Sequence, residues 1–129
     1  MSVKPAFPFA ELIGFIVTRK GDGESECVLE IAEKHMNPHG IAHGGAVFSL
    51  VDTGMGTAIT SLLDKSEMPS TIEIKINYLR PALKGKLTCK TRVVNKGKRT
   101  AVLESRVVDE KQRDICCALG TFMILPRQG

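Results

Sequence analysis

The sequence predicts an α+β fold in which a long central helix is wrapped by a curved antiparallel sheet of five to six strands. Two observations carry this. From Gly44 to about Leu63 apolar residues recur with helical spacing, at Val47, Leu50, Val51, Ala58, Ile59 and Leu62. On both sides of that stretch apolar and polar residues alternate with a period of two, as in strands that bury one face. A helix apolar nearly all round needs cover. A sheet that curls about it supplies that cover.

Phe7 to Leu12 reads as a short helical turn leading into a first strand, Ile13 to Arg19. The stretch GDGES, residues 21–25, is a hairpin turn. In the second strand Cys27, Leu29 and Ile31 alternate with Val28, Glu30 and Ala32. Pro38 and Gly40 break regular structure in HMNPHGIAHGG, residues 35–45, before the long helix begins. After Pro69 the period changes to two. TIEIKINYL sets Ile72, Ile74, Ile76 and Tyr78 on one face and Glu73, Lys75 and Asn77 on the other, and Pro81 ends it. KLTCKTRVV, a turn at NKGK around Gly97, TAVLESRVVDE and DICCALGTFMIL complete three more antiparallel strands. Residues 1–129 contain no linker, repeat or low-complexity tract, so a single domain is expected.

Composition narrows the function classes. The chain has 129 residues, enough for one substantial core, and 43% of them are hydrophobic, ordinary for a globular protein. With no Trp and few aromatics, a base-stacking nucleic-acid surface is not expected. No segment has the length of a membrane-spanning helix, and the N-terminal stretch lacks the apolar run of a signal peptide. Cys27, Cys89, Cys116 and Cys117 form no C-x-x-C pair or zinc spacing and read as reduced core cysteines. A cytoplasmic protein is the expectation.

Asp52 stands out, because it lies within the greasy helix and eight residues after His43-Gly44-Gly45 begins that helix's first turn. A buried, unpaired carboxylate is costly. A helix start offers unpaired N–H groups and a positive dipole end, and Gly44 and Gly45 leave that end open. Such donors hold the oxyanion formed when a carbonyl is attacked, with Asp52 as nucleophile or as general base for water. Eight residues span about 12 Å along a helix, far beyond the reach of one carbonyl. Two antiparallel copies related by a two-fold axis remove the conflict, because the N–H of one subunit then faces Asp52 of the other.

NPHGIAHGGAVFSLVDTGMGTA, together with INYLRPA at residues 76–82, resembles the signature of hotdog-fold acyl-CoA thioesterases, in particular the PaaI-like (phenylacetate-pathway) branch. The resemblance covers about Phe9 to Leu125. It implies a hotdog fold, hydrolysis of acyl-CoA with coenzyme A as part of the substrate and no other cofactor, and homodimers that often pair into homotetramers. It also implies roles. The backbone donor falls on Gly44, the motif histidine on His43, and the carboxylate on Asp52. The loop asparagine falls on Asn37, and the water-assisting hydroxyl on Thr71 or the adjacent Ser70. Gly45 would border the thioester.

Other constellations in the sequence compete with these. His35, His39 and His43 recur every four residues, but Pro38 and Gly40 interrupt any helix and no acidic ligand lies near, so no metal site is expected. Arg80, Lys96, Lys98 and Arg99 are candidates for the phosphates of coenzyme A, against the plainer reading of solvated turns. GKRT lacks the residues of a P-loop. Met36, Met55, Met68 and Met123 suit either core filling or a flexible acyl pocket. The alternatives to hydrolysis are a non-catalytic acyl-CoA-binding protein and a hotdog dehydratase using His43 as base.

Overall fold

The computed structural model describes residues 7–127. The helix α1 (Pro8–Ile13) leads into β1 (Ile16–Gly21) and β2 (Glu24–Ile31). A 3₁₀ turn at Glu33–His35 and a loop precede α2 (Gly44–Thr60). Four strands follow: β3 (Glu67–Tyr78), β4 (Gly85–Lys96), β5 (Thr100–Val108) and β6 (Asp114–Pro126). All six strands form one antiparallel sheet in the order β1-β2-β4-β5-β6-β3.

The sheet is curved because α2 packs against every strand, including both edges. Six flat strands would spread about 24 Å at ~4.8 Å per spacing. A helix about 10 Å across touches both margins only if the sheet folds around it. Val47, Leu50, Val51, Met55, Ala58 and Ile59 are buried on its inner side. They meet Leu29, Leu87, Leu103, Val107 and Phe122 from the sheet.

The helix is not apolar all round, as the sequence suggested. Phe48, Ser49, Asp52, Thr53, Gly56, Thr57 and Thr60 form a half-buried outer stripe. Gly54 belongs to the inner side, where a side chain would not fit. A Cβ there would lie 2.9 Å from Thr91 Oγ1 and 3.2 Å from Cys89 Sγ. The missing side chain lets β4 approach the helix backbone, and Ser25 Oγ donates to the Gly54 carbonyl at 2.6 Å. Thr91 and Ser105 share a 2.7 Å hydrogen bond beside it.

Three boundaries differ from the sequence expectation. The first strand begins at Ile16, not Ile13, because Gly14 adopts a left-handed conformation (φ 103°) and caps α1. The helix α2 ends at Thr60, not Leu63. Ser61 Oγ there donates to the Ala58 carbonyl and accepts the Gly23 N–H of the β1–β2 hairpin, tightening the last turn. The strand β3 starts at Glu67 and runs through Pro69, which the edge tolerates because its open side has no ladder bond to lose.

A bulge in β3 has the greatest consequence for function. Thr71 pairs with Phe122 and Glu73 with Thr121, so Ile72 is an extra residue. Beyond a bulge the strand's inward and outward positions exchange. Ile74 and Ile76 face α2, whereas Ile72, expected on their face, is half exposed. Thr71 takes the inward position in its place.

Cys27, Cys89 and Cys116 are buried free thiols, and Cys117 points the other way along β6 and is half-buried. Among the described residues, no helix is long and apolar enough to cross a membrane.

Candidate functional site

Asp52 sits at the middle of α2 on its half-buried outer stripe, beside an open groove rather than in a sealed core. Thr71 Oγ1 donates to its Oδ1 at 2.7 Å. The bulge in β3 brings this hydroxyl to the helix from 19 residues away in sequence. Asp52 Oδ2 has no partner among the described residues, so a second donor such as water can reach it.

The start of α2 is built from the preceding loop. His35 is buried, and both its ring nitrogens are used: Nδ1 accepts the Ala32 N–H at 2.8 Å and Nε2–H donates to the Ile13 carbonyl at 2.7 Å. It therefore has no lone pair to offer a metal. The His35 carbonyl accepts the His43 N–H at 2.7 Å, and the Ala82 carbonyl accepts the Ala42 N–H at 2.8 Å. Asn37 turns the loop, its Oδ1 accepting the N–H groups of His39 at 2.8 Å and Ile41 at 3.4 Å. That leaves its side-chain NH₂ as the end to offer elsewhere. His39 is exposed, apart from His35.

His43 caps the helix, with Nδ1 accepting the Gly45 N–H at 2.7 Å. The bond places the proton of the neutral ring on Nε2. It also decides which backbone donor remains. Gly45 is occupied, and the Gly44 N–H has no partner among the described residues. Tyr78 holds this end from the sheet, its hydroxyl donating to the Gly44 carbonyl at 2.8 Å. Burial raises the Tyr78 pKa, with a smaller push from Cys116, so the phenol stays a neutral donor.

Gly44 and Asp52 lie on one helix about 12 Å apart along its axis. The chain therefore carries two separate features, an unpartnered Gly44 N–H on a residue whose carbonyl Tyr78 holds and a carboxylate bonded by Thr71, too far apart to meet one carbonyl group. Ser70 pairs with Met123 on the face opposite Thr71. The basic candidates divide between two ends of the sheet. Arg80 Nη1 donates to the Asp114 carbonyl at 3.2 Å, at the start of β6. Lys96, Lys98 and Arg99 surround the β4–β5 turn near the other end of β6, where Ile124 N–H bonds the Arg99 carbonyl at 2.7 Å. Ten strand residues separate those ends, about 33 Å. Met55 is buried core, whereas Met123 is exposed on the outer face of β6.

The groove beside Asp52 has a volume of about 960 Å³. All five phenylalanines of the chain line it: Phe7, Phe9, Phe15, Phe48 and Phe122. Sequence reasoning missed this gathering, because they come from α1, the β1 approach, α2 and β6. It also missed Tyr78 as a clamp, although Tyr78 lies in the Y-L-R-P stretch that carried the resemblance.

Comparison with known proteins agrees with this architecture. The thioesterase superfamily profile matches residues 39–116. A 1,4-dihydroxy-2-naphthoyl-CoA hydrolase of Listeria monocytogenes is 26% identical over 88% of this chain and 93% of its own. The PaaI protein from the phenylacetic acid degradation operon of E. coli superposes with a TM-score of 0.85, at 26% identity over 96% of this chain and 86% of the other. A hypothetical thioesterase protein of Streptococcus pneumoniae solved with coenzyme A gives 0.81, at 26% identity over 89% of this chain and 88% of the other. The hotdog fold expected from the sequence is the fold of these neighbours.

Proposed function

Because the chain belongs to the thioesterase superfamily, we propose that it hydrolyses acyl-CoA thioesters at a site shared by two protomers. What supports this reading is that two free groups, the Gly44 N–H and Asp52 Oδ2, lie about 12 Å apart along one helix, too far for one thioester carbonyl to meet both in a single chain. The coenzyme A bound to the Streptococcus pneumoniae neighbour supports the ligand class, and the Listeria monocytogenes hydrolase supports the reaction class.

A two-fold arrangement completes the site, and β3 offers the surface for it. It is a twelve-residue edge strand with an unpaired side. Long open edges are normally covered. Tyr78 marks the level of Gly44 along β3, and Thr71 marks the level of Asp52. Antiparallel pairing of two copies that sets Tyr78 opposite the partner's Thr71 puts the axis near Ile74 and Lys75. Each Gly44 N–H then faces an Asp52 across the interface. The same pairing draws Arg80 of one protomer toward the Lys96, Lys98 and Arg99 turn of the other, giving each site a basic end for coenzyme A phosphates. Further pairing of dimers into a tetramer belongs to the same reading.

In this site the Gly44 N–H, at the positive end of α2, polarises the thioester carbonyl. Thr71 orients Asp52, whose Oδ2 accepts a proton as water attacks the carbonyl carbon. Asn37 offers its NH₂ to the water or the thioester. Collapse of the tetrahedral intermediate breaks the C–S bond, and the departing thiolate takes the proton from Asp52. The products are a carboxylic acid and coenzyme A. His43 and Gly45 act through each other, keeping the helix start in shape.

The test is thiol release from a panel of acyl-CoAs by the wild type and by Asp52→Ala. The expected result is turnover by the wild type and loss of turnover, with acyl-CoA binding retained, in the variant. Undiminished turnover in folded Asp52→Ala refutes the mechanism. A wild type that binds acyl-CoA without releasing thiol is a binder. Water loss from a 3-hydroxyacyl-CoA without thiol release identifies a dehydratase.

A further inference from the structure

We infer that Gly56 sets acyl-chain selectivity, keeping open a hydrocarbon channel that runs from Asp52 along the outer stripe of α2 and takes a medium-length acyl chain. This rests on the hydrolase reading and names the substrate class of the same site.

The two mid-helix glycines of α2 have different reasons to exist. Either one costs about 1 kcal/mol relative to Ala in a helix interior. Gly54 is explained by packing, because a Cβ there would collide with Thr91 and Cys89. Gly56 has no such explanation: a Cβ there would find its nearest neighbour, Phe122 Cε2, at an ordinary 4.0 Å. Its missing side chain instead leaves open the groove floor one helical turn beyond Asp52.

The lining suits a hydrocarbon. The walls carry Phe7, Phe9, Phe15, Phe122 and Val17, and Phe48 lies on the floor. Three of the four hydroxyls of the floor, all but that of Thr53 beside Asp52, are turned back into the helix. Ser49 Oγ donates to the Gly45 carbonyl at 2.8 Å, Thr57 Oγ1 to Thr53 at 2.8 Å, and Thr60 Oγ1 to Gly56 at 2.6 Å. Their donors are spent, so the floor presents mainly methyl and methylene groups to the groove. A polar acyl group would leave water here without replacement partners.

The length follows from the helix. Asp52 to Thr60 is eight residues, about 12 Å at ~1.5 Å each. An extended alkyl chain of ~1.5 Å bonds advances about 1.25 Å per bond, so about ten carbons fill that distance. Near its far end the groove meets Arg19 and Lys20 at the end of β1. Arg19 is held by Glu24 at 2.9 Å, and this charged rim limits how far an uncharged chain extends.

The test compares kcat/KM for butyryl-, decanoyl- and hexadecanoyl-CoA in the wild type, Gly56→Ala and Gly56→Met, with titration of decanoate followed by calorimetry. The expected wild type prefers decanoyl-CoA. In Gly56→Met the decanoyl-to-butyryl ratio falls about tenfold or more, and decanoate binding weakens in parallel. Gly56→Ala, which the fold accommodates, falls between. If the wild type hydrolyses acyl-CoAs but Gly56→Met leaves the ratio unchanged, the channel is refuted and the hydrolase stands. If no thiol is released but decanoate binds and Gly56→Met abolishes binding, the hydrolase reading fails and the channel stands. A change of oligomeric state in Gly56→Met with an unchanged ratio assigns the groove to a second copy and overturns the inference.

Discussion

Replacing Gly44 with proline removes one hydrogen atom of chemical interest while asking little of the fold. Gly44 is the first residue of α2, and its N–H has no partner to lose among the described residues. Proline is favoured at a first helical position because its missing N–H is an orphan there anyway. It also requires an extended residue before it, and His43 already has φ −59° and ψ 136°. The one cost is contact: a Cβ at Gly44 lies 3.3 Å from Tyr78 Cζ and Oη, and the half-exposed ring has to shift only slightly, its hydrogen bond to the Gly44 carbonyl kept. The fold should therefore survive with little loss of stability. If the N–H holds the oxyanion, kcat falls by about 10²–10³, or about 2.7–4 kcal/mol of transition-state stabilisation. Gly44→Ala is the control, since it crowds Tyr78 in the same way and keeps the N–H. Steady-state thiol release, with circular dichroism to establish folding, reads the difference. A folded Gly44→Pro whose kcat equals that of Gly44→Ala would refute the assignment of this donor.

Thr71→Val removes the hydroxyl on Asp52 and keeps the shape, so kcat should drop about tenfold with KM little changed, the size of one hydrogen bond to a charged group; steady-state kinetics separate the two constants. Gly54→Ala should destabilise the protein by about 1 kcal/mol, because overpacking against Thr91 and Cys89 exceeds the helix-propensity gain. Gly56→Ala should stabilise it by about the same amount, and urea unfolding compares the pair. Alkaline stability follows the buried thiols. Burial first, and then Cys89, pushes Cys27 up to about 12, and burial pushes Cys89 up to about 11. Below pH 9.0 both folded and unfolded chains keep these protons. Above it only the unfolded chain releases them, so stability falls by about 1.4 kcal/mol per pH unit per thiol until the folded pKa is reached. Urea unfolding at about pH 8 and about pH 10 should show that fall, and Cys27→Ala/Cys89→Ala should show a shallower one.

The fold was legible because its signals are local. Period-two alternation announced β2 and β4 to β6, Asp22-Gly23 announced the first hairpin, and the helical run from Gly44 announced α2. The boundaries that moved were set by contacts distant in sequence, such as Ser61 held by Gly23 and Pro69 tolerated on an open edge. The outer stripe of α2 does not stand out in the sequence, because Gly56 counts as apolar and Ser49, Thr53, Thr57 and Thr60 are small. In the site, the loop and the helix start could be read from NPHGIAHGG. Alternation alone could not place Thr71 against Asp52. It put Ile72 on the inner face, and only the bulge, which shows in pairing with β6, exchanges the two. The resemblance puts the backbone donor on Gly44, but the residue types alone do not separate Gly44 from Gly45; what distinguishes them is His43 Nδ1, which turns back to bond the Gly45 N–H.

The central claim is that one protomer's Gly44 serves the other's Asp52, and mixed dimers test it most directly. Gly44→Pro and Asp52→Ala chains, each inactive alone, are coexpressed with different tags and the mixed population is assayed for thiol release. Random pairing makes half the dimers mixed, and each mixed dimer has one intact site in two, so about a quarter of wild-type activity should return. Activity no greater than that of either variant alone, in a preparation shown to contain mixed dimers, would contradict the account.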